Sequence, residues 1–499
     1  MILRLCVFLL IAVSAPAQDL MRFQITLAPE LSDKPVSGRL LVFMTQRASS
    51  EYGELLEPDM LEPGKVWTEG IEVHDLAPGK TIEVTPKMAF PKSFAQAPAG
   101  DYKFMAVLDA NHNYTYKMRA DGGDLYSERV RKNGFDPARA EPVALTLSKR
   151  VPVKAFADTE TQKAVSMKSA ALSRFWGRAM DVEAVVLLPP SYAKRPQRRY
   201  PAVYVIHGYG GDHVSTAGYL GPTISKAMAG GSPEMIYVFL NGECSLGHHE
   251  FADSVNDGPW GEALTREFIP YLEKKFRMDG VPRGRLLTGH SSGGWSSLWL
   301  EINYPEVFGG TWSTSPDPED FRNFTNIDLL GGDNFYYDTG GNERNLMRFH
   351  GKNIMSMKEY VQLERVLGDY GGQIQSFDAV FSPRGEDGRP MPVFDRDTGR
   401  VDPEVVKAWE ERYDLDAYLR KNWKRLGPKL KGKIHVWVGT ADNFHLDDSA
   451  RLLERTLKEL GAGANVTYIE GRDHFDLYRG GLTEKMAKEM YAVARPSKP

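Results

Sequence analysis

Arg285-Leu286-Leu287-Thr288-Gly289-His290-Ser291-Ser292-Gly293-Gly294-Trp295 is a short apolar strand that runs into Gly-x-Ser-x-Gly and straight on into an apolar helix. A chain that turns from strand to helix this abruptly presses backbone against backbone, and only glycines fit around the turning serine. The turn lifts the Ser291 hydroxyl clear of the chain. It also aims the first amides of the following helix at any oxygen bound above them. In a chain with 47 glycines among 499 residues the motif carries little weight alone. Its meaning depends on what the rest of the chain supplies.

Acyl transfer by a serine requires a base, a carboxylate to orient that base, and donors for an oxyanion. In a doubly wound sheet they come in the order Ser, Asp/Glu, His, from loops at the carboxyl ends of strands. Lys433-Ile434-His435-Val436-Trp437-Val438-Gly439-Thr440-Ala441-Asp442 reads as a late strand ending in a carboxylate, which makes Asp442 the candidate acid. Asp447 and Asp448 are rivals, but they suit the start of a helix over 449–460, where acidic groups complement the dipole. The strand Val466-Thr467-Tyr468-Ile469-Glu470 is followed by Gly471-Arg472-Asp473-His474-Phe475, and no other histidine lies beyond it. His474 is therefore the candidate base. His290, His248, His249 and His445 are poorer bases by position. Tyr200-Pro201-Ala202-Val203-Tyr204-Val205-Ile206 is a buried strand leading into His207-Gly208-Tyr209-Gly210-Gly211. There the N–H of Tyr209 would join that of Ser292 as an oxyanion donor. Ser292 sits one place too late to be the nucleophile itself.

His207-Gly208-x-Gly210-Gly211, Gly289-His290-Ser291-Ser292-Gly293-Gly294, Gly439-x-x-Asp442 and the late His474 together resemble the putative-esterase branch of the α/β-hydrolase superfamily. That branch takes in esterase D, feruloyl esterases, enterochelin-type esterases and bacterial mycolyltransferases. The segment 262–272 is similar to the family's helix before the elbow strand. The resemblance covers roughly 182–491. It implies a metal-independent carboxylic ester hydrolase without cofactor, with the triad Ser291, Asp442 and His474. Two features depart from the family: a longer span between Ser291 and Asp442, and a β-rich N-terminal region outside the common core.

The rest of the sequence sets the frame. A net charge of −4 argues against nucleic acid as the main partner. Met1-Ile2-Leu3-Arg4, the apolar run 5–15 and Ala15-Pro16-Ala17 read as a signal peptide over 1–17, so the expectation is an exported, periplasmic or secreted bacterial enzyme with no membrane span after cleavage. Of the two cysteines, Cys6 falls in that segment, which leaves Cys244 as a single thiol.

From 18 to 148, runs such as Arg22-Phe23-Gln24-Ile25-Thr26-Leu27 and Lys103-Phe104-Met105-Ala106-Val107-Leu108 alternate apolar and polar residues, as in an Ig-like antiparallel β-sandwich. Asp109-Ala110-Asn111-His112-Asn113 opens like a calcium loop, but Tyr114 and Ala120 stand where such a loop needs Gly and Glu. A turn is the better reading. A linker over 149–163 leads to alternating strands and helices over 164–495, the pattern of a parallel sheet covered on both faces. Strands are expected at 182–188, 202–206, 235–240, 285–288, 310–313, 434–438 and 466–469.

The rhythm breaks over about 316–430. We read this stretch as an insertion with one helix from Ser356 to Gly368, opened by a Ser356/Glu359 capping box, and another from Asp402. It serves either as a cap over the site or as packing. Tyr209, Trp260, Trp295, Phe335, Tyr336 and Tyr337 either line a pocket for a phenolic acyl group or fill the core. The leading function is hydrolysis of a small-molecule, glycan-linked or phenolic ester through an acyl-enzyme. Acyl transfer to a sugar or lipid hydroxyl uses the same triad, and a binding protein on a hydrolase scaffold is the alternative from another class. Oligomeric state is open.

Overall fold

The alternating N-terminal runs form eight strands, each with one face toward a common core. They are β1 (Phe23–Leu27), β2 (Val36–Thr45), β3 (Val66–Leu76), β4 (Thr81–Val84), β5 (Gly100–Asp109), β6 (Leu125–Ser127), β7 (Val130–Phe135) and β8 (Val143–Arg150). The computed structural model describes residues 21–47, 56–58 and 61–496; the expected signal peptide and Cys6 lie outside the described residues. The strands join in one ladder, β3-β2-β5-β6-β8-β1-β4, with β7 on β5. All pairs are antiparallel except β1 with β8. Phe23, Ile25 and Leu27 of β1 share a core with Leu40, Val42 and Met44 of β2 and with Phe104, Ala106 and Leu108 of β5, as period-2 alternation requires.

By contact density the chain divides in two. Of the described residues, one unit comprises 21–47, 56–58, 63–111 and 123–151; the other comprises 61–62, 112–122 and 152–496. Residues 112–122 thus belong to the second unit, although they run in sequence between β5 and β6.

The second unit is built on a sheet of eight strands: β9 (Gln162–Lys168), β10 (Asp181–Leu187), β11 (Ala202–Ile206), β12 (Ile236–Leu240), β13 (Arg285–Ser291), β14 (Gly310–Pro316), β15 (Ile434–Gly439) and β16 (Asn465–Ile469). Their order is β16-β15-β14-β13-β11-β12-β10-β9. The pairs β9/β10 and β10/β12 are antiparallel, and every other pair is parallel. Central strands read as unbroken apolar runs because both faces are covered.

On one face, Val203, Val205, Tyr237, Phe239 and Trp312 share a core with α1 (His213–Ala229) and α8 (Leu482–Ala494). The neighbours of Trp312 point the other way. Thr311 Oγ1 bonds Ser297 Oγ at 2.9 Å and Ser313 Oγ donates to Gly294 O at 2.9 Å, which places α2 (Ser292–Asn303) on the opposite face. The fold is an α/β-hydrolase with a doubly wound sheet.

Between β14 and β15 lie a hairpin (Asn345–Phe349 with Lys352–Ser356) and the helices α3 (Met357–Leu367), α4 (Gln373–Phe381), α5 (Pro403–Arg412) and α6 (Leu415–Leu430). The Ser356/Glu359 box forms in both directions: Glu359 N–H to Ser356 Oγ at 3.2 Å, and Ser356 N–H to Glu359 Oε2 at 2.9 Å. Asp402 caps α5 through the amides of Glu404 and Val405. Most of the aromatics singled out in the sequence are core: Trp260, Trp295, Phe335 and Tyr336 are all buried. The segment expected as one helix over 262–272 is helical throughout, from Trp260 to Lys275, but not as a regular α-helix. A π-helical stretch Ala263–Phe268 joins a short turn at 260–262 to Ile269–Lys275, next to Pro270, which has no N–H to give.

Candidate active site

Ser291 ends β13 with φ 59° and ψ −126°, and α2 begins at the next residue. Such a conformation costs a non-glycine residue on the order of 1–3 kcal/mol, and it persists only where the surroundings enforce it. The flanking glycines show how. A Cβ on Gly289 would stand 2.0 Å from Gly293 O, and one on Gly293 would stand 2.1 Å from Ile206 O. A Cβ on Gly294 would stand 2.8 Å from Thr314 O. The elbow is therefore wedged between β11 and β14, and the glycines are required by contact.

Asp442 and His474 meet beyond the ends of β15 and β16. His474 Nδ1 lies 2.9 Å from Asp442 Oδ2, and both side chains are buried. The other carboxylate oxygen accepts from Phe444 N–H at 2.9 Å and Leu446 N–H at 3.4 Å. Burial alone would raise the Asp442 pKa. The attraction and hydrogen bond of His474, with the Phe444 amide, outweigh it and hold the carboxyl below its ordinary value. A carboxylate on Nδ1 fixes the proton there and leaves Nε2 as the basic nitrogen. Asn443 Oδ1 accepts from the His474 backbone at 2.9 Å, which sets the entry of that loop.

The loop after β11 crosses the elbow. A Cβ on Gly208 would come 3.1 Å from both Ser291 Cβ and His290 O, so this backbone lies directly on the nucleophile candidate. His207 anchors it. Gly242 N–H donates to His207 Nε2 at 2.8 Å, which puts the ring proton on Nδ1, 2.8 Å from Gly208 O. Burial, then His248, drives the His207 pKa down to about 3, so the ring is a neutral structural pin.

A family model described as "Putative esterase" matches residues 176–481, more than half of the chain. The chain belongs to this esterase family. An esterase from Mycobacterium tuberculosis is 28% identical over 131 residues, covering 26% of this chain and 28% of that protein. An endo-1,4-beta-xylanase/feruloyl esterase from Xylanibacter ruminicola is 25% identical over 210 residues, covering 40% of this chain and 28% of that protein. The chain thus spans about a quarter of the length of these curated relatives. Among solved structures, a ferulic acid esterase (16% identity, TM-score 0.42) is covered over 99% of its length and 67% of this chain. An S-formylglutathione hydrolase from Agrobacterium tumefaciens (15% identity, TM-score 0.40) is covered over 95% of its length and 67% of this chain.

In this chain several of the rivals named from sequence are otherwise engaged. Asp447 pairs with Arg348 at 3.2 Å and, with Asp448, lies in the first turn of α7 (Leu446–Glu459). His249 stacks flat on Trp260, ring centroids 3.7 Å apart. His290 packs on His474 at 4.4 Å and bonds Thr314 Oγ1 at 3.2 Å. Burial, then His474, pushes the His290 pKa down to about 3.

The structure adds a residue the sequence reading missed. Asp317, just past β14, takes the Ser291 hydroxyl at 3.3 Å and the Ser292 hydroxyl at 2.6 Å. The resting hydroxyl of Ser291 therefore points to Asp317. Burial, reinforced by the nearby Glu250 carboxyl, raises the Asp317 pKa to about 7. Its signal in the sequence was only Ser315-Pro316-Asp317, an acid at the carboxyl end of the strand beside the elbow strand, where ligands of doubly wound sheets gather.

Proposed function

We propose that this protein is a serine esterase that cleaves a carboxylic ester through an acyl-enzyme. The observation that carries this reading is the Asp442–His474 pair beside a serine held at a strained elbow under a glycine loop. Ser291 Oγ attacks the ester carbonyl while His474 Nε2 takes its proton. The amides of Tyr209 and Ser292 hold the oxyanion. His474 then gives the proton to the departing alcohol, and the same cycle with water releases the acid.

The alcohol half must lie beside His474, and that side of the base is aromatic. Phe444 stands edge-on to the His474 ring at 5.0 Å, and Phe475, 62% exposed, lies 6.0 Å from Phe444. Such an edge suits a sugar alcohol, and the feruloyl esterase among the relatives supports an ester whose acyl half is phenolic. Action outside the cytoplasm is supported by the charged and apolar pattern of residues 1–17.

The test is exposure to a fluorophosphonate probe with intact-mass analysis, alongside turnover of p-nitrophenyl acetate and a methyl hydroxycinnamate. One label per chain at Ser291 with turnover of both esters is expected. Folded protein that takes no label would overturn the serine mechanism, and product transfer to an added alcohol in preference to water would make it a transferase.

Asp317 makes the reaction pH-dependent in a stated direction. Below about pH 7 it is a neutral carboxyl; above, it is a carboxylate that holds the Ser291 proton and opposes the developing oxyanion. Activity is expected to fall as pH rises through 7, and Asp317→Asn to remove that descending limb. At pH 9 the variant should exceed wild type by on the order of tenfold in kcat/KM, as one unfavourable nearby charge predicts. Superimposable pH–rate profiles would show that Asp317 does not titrate against the nucleophile.

A further inference from the structure

Residues 112–122 leave the N-terminal strands and pack as part of the second unit. At their centre is one helical turn, Tyr114–Lys117, too short to hold itself. Three consecutive residues of it grip the loop 207–212. The Tyr209 hydroxyl lies 2.9 Å from Thr115 O and 2.8 Å from Gly371 O, sharing one proton between a carbonyl of this turn and one from the α3–α4 connection. The Tyr116 hydroxyl donates to Gly211 O at 2.9 Å, and its ring stands edge-on to that of Tyr209 at 5.0 Å. Lys117 Nζ pairs with Asp212 at 3.2 Å and with Glu243 at 2.7 Å.

These contacts have a pattern. Asp212 is the N-cap of α1, in a reciprocal box with Ser215, so it fixes where the loop ends. Glu243 follows Gly242, whose amide holds the His207 ring at the other end. Lys117 therefore ties both ends together, while Tyr116 and Thr115 hold the middle. Tyr116 is buried and the Lys117 side chain is 5% exposed, so these bonds are shielded from water. Packing alone would be served by apolar side chains. The hydrogen bonds of Tyr116 and Thr115 and the Lys117–Asp212 pair are instead directional bonds to the backbone, cap or side chain of one glycine-rich segment.

We infer that Tyr116 and Lys117 are positioning residues that hold the loop 207–212, and with it the Tyr209 amide, at the geometry an oxyanion requires. This inference rests on the reading of Ser291 as nucleophile and Tyr209 N–H as donor. A loop with glycines at 208, 210 and 211 is free to wander, and misplacement of a donor by about 1 Å costs on the order of a hundredfold in rate. Residues 114–117 thereby take part in the reaction without touching the reacting atoms.

The test compares full-length wild type with Tyr116→Phe, Lys117→Met and Lys117→Arg. The measurements are kcat and KM on p-nitrophenyl acetate, affinity for a trifluoromethyl ketone that forms a tetrahedral anion on Ser291, and amide exchange of the peptide covering 207–212. Expected for the first two variants is a ten- to hundredfold loss of kcat with KM within twofold. Inhibitor affinity should fall in parallel and exchange in that peptide should quicken; Lys117→Arg should recover most of the rate. Should Tyr116→Phe fail to fold, Lys117→Met and its arginine rescue carry the test. Unchanged kcat, inhibitor affinity and exchange in variants of a wild type that labels at Ser291 would overturn the brace alone. A wild type that does not label would overturn the serine reading and the catalytic meaning of the brace with it.

Discussion

Replacing Ser291 by alanine is expected to lower kcat/KM on p-nitrophenyl acetate by about 10⁵- to 10⁶-fold and to abolish fluorophosphonate labelling, with the fold intact. Among the described residues the hydroxyl makes one hydrogen bond, 3.3 Å to Asp317, and Asp317 keeps the shorter bond to Ser292 at 2.6 Å when it is lost. The strain at φ 59° belongs to the backbone and remains, so removing one oxygen leaves the turn as strained as before. Thermal unfolding should therefore move by no more than a few degrees while turnover collapses. Background hydrolysis aided by the oxyanion amides sets the floor. Ser292→Ala is the control that separates neighbours. It keeps the backbone amide proposed as an oxyanion donor and should still label at Ser291. A Ser291→Ala protein retaining more than about a hundredth of the wild-type rate would mean that another group attacks the ester.

The elements legible in the sequence were those whose residue types are dictated locally. Glycines at 289, 293 and 294 are demanded by backbone contacts of 2.0–2.8 Å, and such demands leave a fixed spacing in the chain. The parallel strands β11 and β12 are apolar on both faces and announce themselves as runs. That Asp442 and His474 would meet was legible because each follows a strand, the first a buried run in β15 and the second the half-exposed edge strand β16.

What escaped is what depends on distant partners. Edge strand β9, Gln162–Lys168, is polar and largely exposed, so no hydrophobic pattern marks it. The turn Tyr114–Lys117 bonds residues more than ninety positions away, and no local pattern gives it a partner. Asp317 stands where the strand–helix rhythm stops, and its meaning comes from Ser291 and Ser292 across the elbow. The π-helical stretch Ala263–Phe268 escaped because an apolar face at helical spacing does not report one extra residue per turn.

Asp442→Asn is expected to cost on the order of 10⁴-fold in kcat near neutral pH. The reason is the tautomer. Asp442 Oδ1 accepts from the amides of Phe444 and Leu446, while Oδ2 faces His474 Nδ1 at 2.9 Å. An asparagine that keeps its oxygen toward the two amides turns its NH₂ to Nδ1. That nitrogen must then accept, the proton moves to Nε2, and the imidazole has no lone pair for Ser291. The flipped amide restores the bond to His474 but sets NH₂ against the N–H groups of Phe444 and Leu446, a buried clash of donors. Neither orientation leaves a working base. Labelling should slow in parallel with turnover, because both require attack by Ser291.

A stability signature accompanies the loss. In the folded protein the Asp442 pKa lies below its ordinary 3.8, so its ionised form stabilises the fold above that pH, and the contribution disappears as pH falls through the folded value. The melting-temperature deficit of Asp442→Asn should therefore be full at pH 7 and shrink below pH 3.8. A deficit that stays constant down to pH 3, or a rate within tenfold of wild type, would show that Asp442 is not the carboxylate that orients the base.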